Sequence, residues 1–369
     1  MSIVVPTLRE AANIPTLVER IRSALSRTGV RWELLLVDDD SHDGSEEIVA
    51  ELGRRLPVRM EVRRNAPRDL SLAVLHGMRL ARHDRVVVMD ADLSHPPERI
   101  GALLMALDGD CDMVIGSRYV PGGHVDRTWG WGRRLNSRVA TALALPLVRC
   151  SDPMSGFFAT DRRALPDLRR LQPIGYKIGL ELVVRGRLRV AEVPIDFVDR
   201  DLGSSKMDWR QQVNYLRHLY RLYLHRYGAA ARLAGFALVG ASGFVIDVSV
   251  YLGLQAIGVE HRVARFLSFW PAVTWNWVLN RGLTFEERLR QPHVRQWTKF
   301  VASSMIGLAV NVGSYTVLTS FVGFYSRNHL PALIVGVGLG GFTNFLVANR
   351  YVYRRRTEAE QCDDELLPQ

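Results

Sequence analysis

Four long apolar stretches in the second half of the chain constrain its fold more strongly than any other feature. They occupy about residues 233–257, 264–283, 300–324 and 330–351. Each approaches or exceeds the ~20 apolar residues that a helix needs to cross the hydrocarbon core of a bilayer. The second stretch is the weakest, because it contains Trp275, Asn276, Trp277 and Asn280. The sequence therefore predicts an all-α membrane domain of four transmembrane helices over residues 228–356, followed by a polar tail at 357–369.

The charges between these stretches predict the orientation of the helices. Arg and Lys cluster in the loop after the second stretch and at the end of the fourth, whereas the opposite loops hold Arg262, Arg265 and Arg327. Because cytoplasmic loops are enriched in Arg and Lys, we expect both termini inside the cell. The chain opens on a strand pattern with no secretory signal, and its three cysteines have no paired spacing. We therefore expect the first half of the chain to stay in the cytoplasm.

The apolar half also contains an internal repeat. Four pairs of positions match at one constant offset: Phe236 with Phe300, Gly243 with Gly307, Asp247 with Asn311, and Tyr251 with Tyr315. We interpret the repeating unit as a two-helix hairpin that is present twice. Asp247 is ionisable within a predicted span, so it is either functional or bonded to a neighbouring helix. Asn311 at the equivalent position favours a hydrogen bond over a charge.

The first half, residues 1–227, alternates strand and helix patterns. Predicted strands lie at 3–5, 32–37, 58–62, 86–89 and 112–115, with helices at 13–26 and 41–55. This βαβα order predicts a Rossmann-like α/β domain with a mostly parallel sheet covered by helices on both faces. At its end, residues 208–227 form a basic amphipathic pattern, which we interpret as a helix in the membrane interface. A core helix of the first domain is the alternative.

Two carboxylates at the end of a predicted strand are the most specific chemical feature. Asp90 and Asp92 follow the apolar residues 86–89 and are two positions apart, so in an extended segment they point the same way. Carboxylate oxygens suit Mg²⁺ or Mn²⁺, cations that usually share their site with substrate phosphates. We therefore predict a divalent-metal site here, where the ion offsets charge on a phosphate leaving group.

A second acidic cluster, residues 38–40, follows another buried strand and precedes a helix. Asp40 or Ser41 fits a helix cap, whereas Asp39 is better placed to bond a base or a ribose. The net charge of +10 and the pI of about 9.9 favour partners that carry phosphate or anionic lipid. The sequence has no zinc-finger spacing and no basic stripe with interleaved aromatic residues, so we do not expect nucleic acid as a partner.

Several motifs between residues 2 and 223 carry a family resemblance. They are Ile3-Val4-Val5-Pro6-Thr7 with Glu10, Val37-Asp38-Asp39-Asp40-Ser41 with Asp43-Gly44-Ser45, Asp90-Ala91-Asp92-Leu93 with His95-Pro96-Pro97-Glu98, Gly116-Ser117-Arg118-Tyr119, Arg133-Arg134 with Ser137, Asp152-Pro153-Met154-Ser155-Gly156-Phe157, Gly175-Tyr176-Lys177 with Glu181, and Arg200 with Gly203, Ser205 and Lys206. Together they resemble the family-two inverting glycosyltransferases of the GT-A fold, and most of all the dolichol-phosphate (polyprenyl-phosphate) mannosyltransferases. The membrane half is similar to the GtrA-like four-span domain.

The resemblance implies roles for the matching positions. The implied groups are Pro6, Leu8, Glu10, Val37 and Asp39 for the nucleoside; Asp90, Ala91 and Asp92 with Ser94 for the metal and diphosphate; Arg118, Arg133 and Ser137 for the lipid phosphate; and Lys177, Arg200 and Lys206 for closure over the donor. Asp92, Arg118, Arg133 and Ser137 are the implied catalytic residues. Two positions depart from the family pattern: Leu8 replaces an aromatic residue, which weakens stacking on the base, and Ser94 replaces a glutamine. Residues 203–206 are either a mobile lid or a surface linker.

The resemblance also implies the reaction. A hexose would pass with inversion to a polyprenyl or dolichyl phosphate at the cytoplasmic membrane face, with GDP-mannose as the first choice of donor and UDP-glucose as the second. A lipid phosphate is already an anion, so it needs positioning by cations rather than a general base. A polysaccharide synthase, which would need a carboxylate base, is one rival. A non-enzymatic carrier of lipid-linked sugar is another, against which the intact Asp90, Asp92 and Arg118 argue.

Overall fold

The computed structural model describes residues 1–26, 28–125, 130–169, 171, 173–175, 177–197, 209–288 and 291–354. The chain divides into two compact units, Met1–Arg226 and Tyr227–Gln369. The first unit has an α/β structure and the second is helical. The predicted lid at 203–206 and the polar tail at 357–369 lie outside the described residues.

A seven-stranded sheet forms the centre of the first unit. Its strands and those of a separate two-stranded pair are β1 (Ser2–Thr7), β2 (Glu33–Asp38), β3 (Val58–Val62), β4 (Arg85–Val88), β5 (Met113–Ser117), β6 (His124–Val125), β7 (Phe158–Asp161), β8 (Val190–Pro194) and β9 (Asp196–Phe197). The order in the large sheet is β3-β2-β1-β4-β7-β5-β8, and β6 pairs with β9. β7 is antiparallel to both of its neighbours, whereas the other described pairs are parallel. The expectation of a mostly parallel α/β sheet is confirmed.

Helices cover both faces of this sheet. They are α1 (Ile14–Leu25), α2 (Ser45–Gly53), α3 (Leu70–Leu80), α4 (Ile100–Leu107), α5 (Trp131–Ala144), α6 (Ile178–Gly186) and α7 (Trp209–Tyr227). Successive side chains of a strand point to opposite faces. Val4 of β1 therefore belongs to the core cluster that contains α3 and α6 residues, whereas Ile3 and Val5 belong to the cluster that contains α1 and α4 residues.

α2 begins four residues later than the sequence pattern predicts. Residues 41–44 form a turn instead, in which the backbone N–H and the hydroxyl of Ser41 both donate to the Asp38 carboxylate. Gly44 adopts φ +89°, a left-handed conformation that favours glycine and does not continue a helix. Asp40 and His42 also adopt positive φ, so the backbone before residue 45 is not helical and the acidic cluster lies on a loop.

α7 packs on the first unit through one of its faces. Tyr215, Leu219 and Leu222 are buried in the core cluster, and the Tyr215 hydroxyl donates to the Ala140 carbonyl oxygen at 2.7 Å. Leu216 on another face is about half exposed. The alternative interpretation, a core helix, thus accounts for the buried face. The interfacial location of the exposed face stays a prediction.

The second unit consists of helices that are mostly long. They are α8 (Ala229–Ala256), α9 (His261–Leu279), α10 (His293–Phe321), α11 (Gly323–Arg327) and α12 (His329–Val347). Within the described part of the chain, three helices are long and apolar enough to cross a membrane: Ala229–Ala256, His293–Phe321 and His329–Val352. α9 has 19 residues but is not among these three, in keeping with its charged and amide side chains. Whether α9 crosses the membrane stays a prediction.

The internal repeat corresponds to two helix pairs, α8 with α9 and α10 with α12. A repeated glycine allows close packing in each pair. A Cβ atom on Gly243 would overlap the side chain of Asn276, and a Cβ atom on Gly307 would lie 2.8 Å from the Gly340 carbonyl oxygen. Small residues are the usual means by which membrane helices approach each other closely.

Asp247 finds its partners within its own helix pair. It forms an ion pair with Arg265 and accepts a hydrogen bond from the Ser268 hydroxyl at 2.7 Å. Both partners belong to α9, which faces α8 in the first repeat. Of the two interpretations of Asp247, the structure supports the bond to a neighbouring helix.

Candidate active site

The carboxyl ends of four parallel strands meet at one edge of the large sheet. β1, β2, β4 and β5 end there at Thr7, Asp38, Val88 and Ser117. β1 has β2 on one side and β4 on the other, so the strand order reverses between β1 and β4. Ligands bind α/β sheets in the crevice at such a point. Because β7 runs in the opposite direction, the residues just before it, 152–157, reach the same edge.

The loop after β4 carries the two predicted metal ligands. Asp92 Oδ1 accepts hydrogen bonds from the backbone N–H of Ser94 at 3.1 Å and from its hydroxyl at 2.6 Å. Leu93 adopts φ +62°, which closes a tight turn. Ala91 is buried against the core. The Ser94 hydroxyl, predicted as a metal ligand, is buried and orients Asp92 in this structure.

His95 lies beside the backbone of Asp90. The Asp90 backbone N–H donates to His95 Nδ1 at 3.0 Å. The imidazole stacks on Phe157, with ring centroids 5.3 Å apart and 15° between the planes, and meets the edge of Phe197. Burial lowers the pKa of His95 below its usual value. These observations indicate a neutral imidazole that belongs to the wall of the site.

Arg118 follows β5 and is held by a buried ion pair. Its Nε and Nη2 atoms donate to the two carboxylate oxygens of Asp152 at 2.7 and 2.8 Å. The side chains of Arg118 and Asp152 are 9% and 0% exposed. The guanidinium also lies over the rings of Tyr119 and Phe197. A bidentate pair fixes the direction of the guanidinium as well as its position.

Lys177 is a partly buried cation immediately before α6. Its Nζ atom donates to the Met154 carbonyl oxygen at 2.6 Å. Burial and the positive charge of Arg118 lower the pKa of Lys177 to about 8, although Asp152 and Asp90 oppose this shift. The side chain is therefore mostly protonated at neutral pH and mostly neutral above pH 8.

Gly156 faces the Asp90 carboxylate. A Cβ atom at this position would lie 3.6 and 3.7 Å from the two Asp90 carboxylate oxygens and 3.4 Å from His95 Cε1. These distances are ordinary van der Waals contacts, so a methyl group would fit and would cover the carboxylate. The absence of a side chain therefore keeps this face of Asp90 open to a ligand.

A second buried ion pair lies at the end of β2. Asp39 Oδ1 accepts a hydrogen bond from Arg63 at 2.5 Å, and Oδ2 accepts one from the backbone N–H of Asp69 at 2.9 Å. The side chains of Asp39 and Arg63 are each 7% exposed. Asp69 in turn accepts a hydrogen bond from the Gly175 backbone at 3.0 Å. The same network therefore reaches the segment that precedes Lys177.

The other residues predicted to bind the nucleoside differ in what they can offer. Pro6 and Val37 pair across β1 and β2. The Val37 side chain is fully buried in the core, so this residue can contribute backbone atoms alone. Leu8 is 45% exposed at the end of β1. Glu10 accepts a hydrogen bond from the Asn13 side chain at 2.6 Å.

The residues predicted to face the lipid phosphate are described in part. The Ser137 hydroxyl on α5 bonds with the Tyr119 hydroxyl at 2.9 Å. The Arg133 side chain, and all of Arg200 and Lys206, lie outside the described residues. Among the predicted cations, the structure thus brings Arg118 and Lys177 together near Asp90.

Sequence reasoning missed the residues that hold the predicted ones in place. These are Arg63, Asp69, His95, Asp152 and Gly156. Three of them belong to motifs that carry the family resemblance, so their positions were marked but their roles were not. No local pattern marks Arg63 or Asp69 as a partner of Asp39, because 24 and 30 residues separate them from it.

Asp90 and Asp92 are the described side chains best suited to hold a divalent cation. Their oxygens are the hard ligands that Mg²⁺ and Mn²⁺ prefer, and Gly156 leaves Asp90 open. The described residues contain no group of three or more His, Cys, Asp or Glu side chains arranged around one point. An ion at this site would thus share its coordination with substrate phosphate and water, which is usual for Mg²⁺.

Comparisons with known proteins extend over both units. The glycosyl transferase family 2 model matches residues 2–168, and the GtrA/DPMS transmembrane domain model matches residues 235–356. A dolichol-phosphate mannosyltransferase of Pyrococcus furiosus is 36% identical over 357 residues, which cover 95% of this chain and 98% of that protein. A dolichol-phosphate mannosyltransferase of Saccharomyces cerevisiae is 39% identical over 62% of this chain and 88% of its own.

A solved structure is similar at a lower level. Glucosyl-3-phosphoglycerate synthase of Mycobacterium tuberculosis, in complex with Mn²⁺, UDP and glucosyl-3-phosphoglycerate, matches with a TM-score of 0.46 and 24% identity over 62% of this chain and 79% of that chain. The Pyrococcus relative, by contrast, matches through nearly the whole length of both proteins. The chain is therefore an integral membrane glycosyltransferase that belongs to glycosyl transferase family 2, alongside the dolichol-phosphate mannosyltransferases.

Proposed function

We propose that the chain transfers mannose from GDP-mannose to a polyprenyl or dolichyl phosphate, with inversion at the anomeric carbon. The observation that carries this proposal is the 36% identity with the Pyrococcus dolichol-phosphate mannosyltransferase across 95% of the chain. The geometry of the site supports it, because two cations, Arg118 and Lys177, lie near a carboxylate that a ligand can approach.

Arg118 receives the acceptor phosphate in this proposal. A phosphate monoester is an anion at neutral pH, so it attacks the anomeric carbon without a general base. The Asp152 carboxylate holds the guanidinium by two hydrogen bonds, so little side-chain freedom is lost when the phosphate binds. Arg133 and Ser137 add contacts to the same phosphate.

Asp90 and Asp92 hold Mg²⁺ or Mn²⁺ and do not act as an acid–base pair. The bound cation supplies positive charge to the nucleoside diphosphate leaving group. Lys177, which is mostly protonated at pH 7 because its pKa is about 8, adds charge on the same side. Pro6, Leu8, Glu10 and Asp39 serve the nucleoside, and the family resemblance adds Arg200 and Lys206 as further cations for the donor.

A lipid acceptor explains why a glycosyltransferase unit and membrane-spanning helices share one chain. The spans tether the glycosyltransferase unit to the membrane that holds the prenyl lipid acceptor. The arginines of the loops and of the chain end support a cytoplasmic location for both termini and for the glycosyltransferase unit.

A donor panel tests the proposal. Full-length protein in detergent micelles is incubated with polyprenyl phosphate, Mg²⁺ or Mn²⁺, and radiolabelled GDP-mannose or UDP-glucose in separate reactions. We expect label in the extracted lipid with GDP-mannose, and its loss on addition of EDTA or in the Asp92→Asn variant. If label appears only with UDP-glucose, the donor is UDP-glucose and not GDP-mannose. If neither donor gives labelled lipid, the proposed function is wrong.

A further inference from the structure

The loop of residues 90–95 carries both carboxylates of the site and is closed by two sets of hydrogen bonds. Ser94 donates to Asp92 within the loop. The Asp90 backbone N–H donates to His95 Nδ1 at 3.0 Å, which joins the first residue of the loop to the last. The position of Asp90 relative to Asp92 therefore depends on a side chain that touches neither carboxylate at hydrogen-bond distance.

The geometry determines which role the His95 nitrogen has. Its distance to Asp90 Oδ2 is 3.7 Å, which is too long for a hydrogen bond. Its distance to the Asp90 backbone nitrogen is within the usual range, and that nitrogen is a donor. Nδ1 must therefore be the unprotonated acceptor of the ring, with the proton on Nε2.

The ring of His95 is itself fixed by elements outside the loop. Phe157, which precedes β7, stacks on one face, and Phe197 of β9 makes an edge-to-face contact with ring centroids 5.8 Å apart. The side chain is 3% exposed. Because these neighbours restrict the ring, its nitrogen presents a fixed acceptor to the Asp90 backbone.

We propose that His95 is a positioning residue, which sets the approach of the Asp90 carboxylate to a divalent cation by accepting the Asp90 backbone N–H. This inference rests on the proposed role of Asp90 and Asp92 as ligands of that cation. The competing explanation is that His95 is merely a ring that fills space between Phe157 and Phe197.

A matched pair of variants separates the two explanations. The variants are His95→Asn and His95→Leu. The Asn and Leu side chains have the same branched shape, and both substitutions remove the aromatic ring. Asn keeps an acceptor, its Oδ1, at the same number of bonds from the backbone as Nδ1, whereas Leu keeps none. If the acceptor matters, the Asn variant keeps the amide protection and the Mn²⁺ affinity that the Leu variant loses. If the ring matters, both variants lose amide protection and Mn²⁺ affinity to the same extent.

Two measurements on the full-length protein provide the test. The first is hydrogen–deuterium exchange of the Asp90 backbone amide without any metal, and the second is binding of Mn²⁺ alone by electron paramagnetic resonance. We expect the Leu variant to exchange faster and to bind Mn²⁺ more weakly, each by roughly tenfold, which is the value of one good hydrogen bond. The Asn variant should stay within about threefold of the wild type in both measurements.

The outcomes that overturn the inference do not depend on the donor sugar. Equal losses in both variants, or unchanged amide exchange in the Leu variant, would show that the acceptor has no positioning role. Mn²⁺ binding that is absent from the wild type, or unaffected by loss of the acceptor, would also reject it. Failure of mannose transfer with both results intact would reject the donor assignment alone.

Discussion

The two sides of the site hold their carboxylates in different ways. On the side proposed to bind the nucleoside, called the nucleoside side below, Asp39 already accepts hydrogen bonds at both oxygens, from Arg63 and from the Asp69 backbone. On the side proposed for sugar transfer, called the transfer side below, the Asp90 carboxylate faces Gly156, which has no side chain to cover it. A carboxylate whose two oxygens already accept hydrogen bonds holds the neighbouring loops in place, whereas an uncovered carboxylate remains available to a ligand.

The arginines of the two sides are similar in burial and differ in what they organise. Arg63 ties Asp39 to the loop that leads to Asp69, so it stabilises the shape of a pocket wall. Arg118 is held by Asp152 beside the open carboxylate, so it is fixed where charge is needed. Changes on the transfer side should therefore reduce turnover, and changes on the nucleoside side should weaken donor binding. Four experiments test this contrast.

The largest effect is expected for Asp152→Asn. The Asn side chain has an acceptor at only one of the two oxygen positions, so it cannot form the bidentate pair with Arg118. We expect turnover to fall by roughly 10²–10³-fold, with little change in the KM for donor. Asp112→Asn is the control, because Asp112 pairs with a largely exposed Arg189 and should change turnover by less than about twofold. If Asp152→Asn does not fold, Arg118→Lys keeps the charge without the planar fork and should show the same pattern. A rise in KM alone would contradict the assignment.

A smaller effect is expected for Gly156→Ala. The methyl group fits at 3.4–3.7 Å from its neighbours and covers Asp90, so thermal stability should be retained. We expect the Mn²⁺ concentration for half-maximal activity to rise roughly tenfold, as for the loss of about 1.4 kcal/mol of binding. Gly179→Ala, a similarly spaced contact on α6, is the control. An unchanged metal requirement would mean that the open face of Asp90 is not used.

The pH dependence of donor binding tests Lys177. Its pKa of about 8 is lower than that of an ordinary lysine, so the positive charge is present at pH 7 and is lost as pH rises through 8. We expect the KM for donor to increase by up to about tenfold between pH 7 and pH 9, since the protonated fraction falls by that factor. Lys177→Arg stays charged throughout this range and should flatten the profile. A wild-type profile that is equally flat would remove Lys177 from donor binding.

The smallest effect is expected for Asp39→Asn. Asn preserves the shape of the side chain and one acceptor, but it weakens the bond to Arg63. We expect the KM for donor to rise by about threefold to tenfold at nearly constant turnover. This is the effect expected when a charged hydrogen bond to Arg63 is replaced by a weaker neutral one. Steady-state kinetics with GDP-mannose measure this split. A drop in turnover as large as that of Asp152→Asn would break the contrast between the two sides.

The sequence predicts the strand ends of the site well because their patterns are local. Asp90 and Asp92 follow a run of buried residues, and Arg118 follows the next strand. The partners of these residues could not be predicted in the same way, since Asp152 lies 34 residues from Arg118. Such a pairing depends on β7 lying between β4 and β5, which is a property of the sheet order and not of any segment.

The helix at the end of the first unit shows a similar limit. The spacing of apolar residues in α7 predicts that one face is apolar, and this is what the structure has. The spacing does not say what covers that face. Tyr215, Leu219 and Leu222 pack into the core of the first unit because α7 lies on it, so the buried part of its apolar surface is explained without lipid.

The reversed direction of β7 has a consequence for the distance between the two reactants. Residues 152–156 lead into this strand. Asp152 holds Arg118, the proposed ligand of the acceptor phosphate, and Gly156 borders Asp90, the proposed metal ligand on the donor side. In the proposed function, these five consecutive residues therefore set the distance between the acceptor phosphate and the anomeric carbon of the donor. Their separation is built into local chain geometry, so a single insertion there would shift both substrates relative to each other while leaving each binding pocket intact.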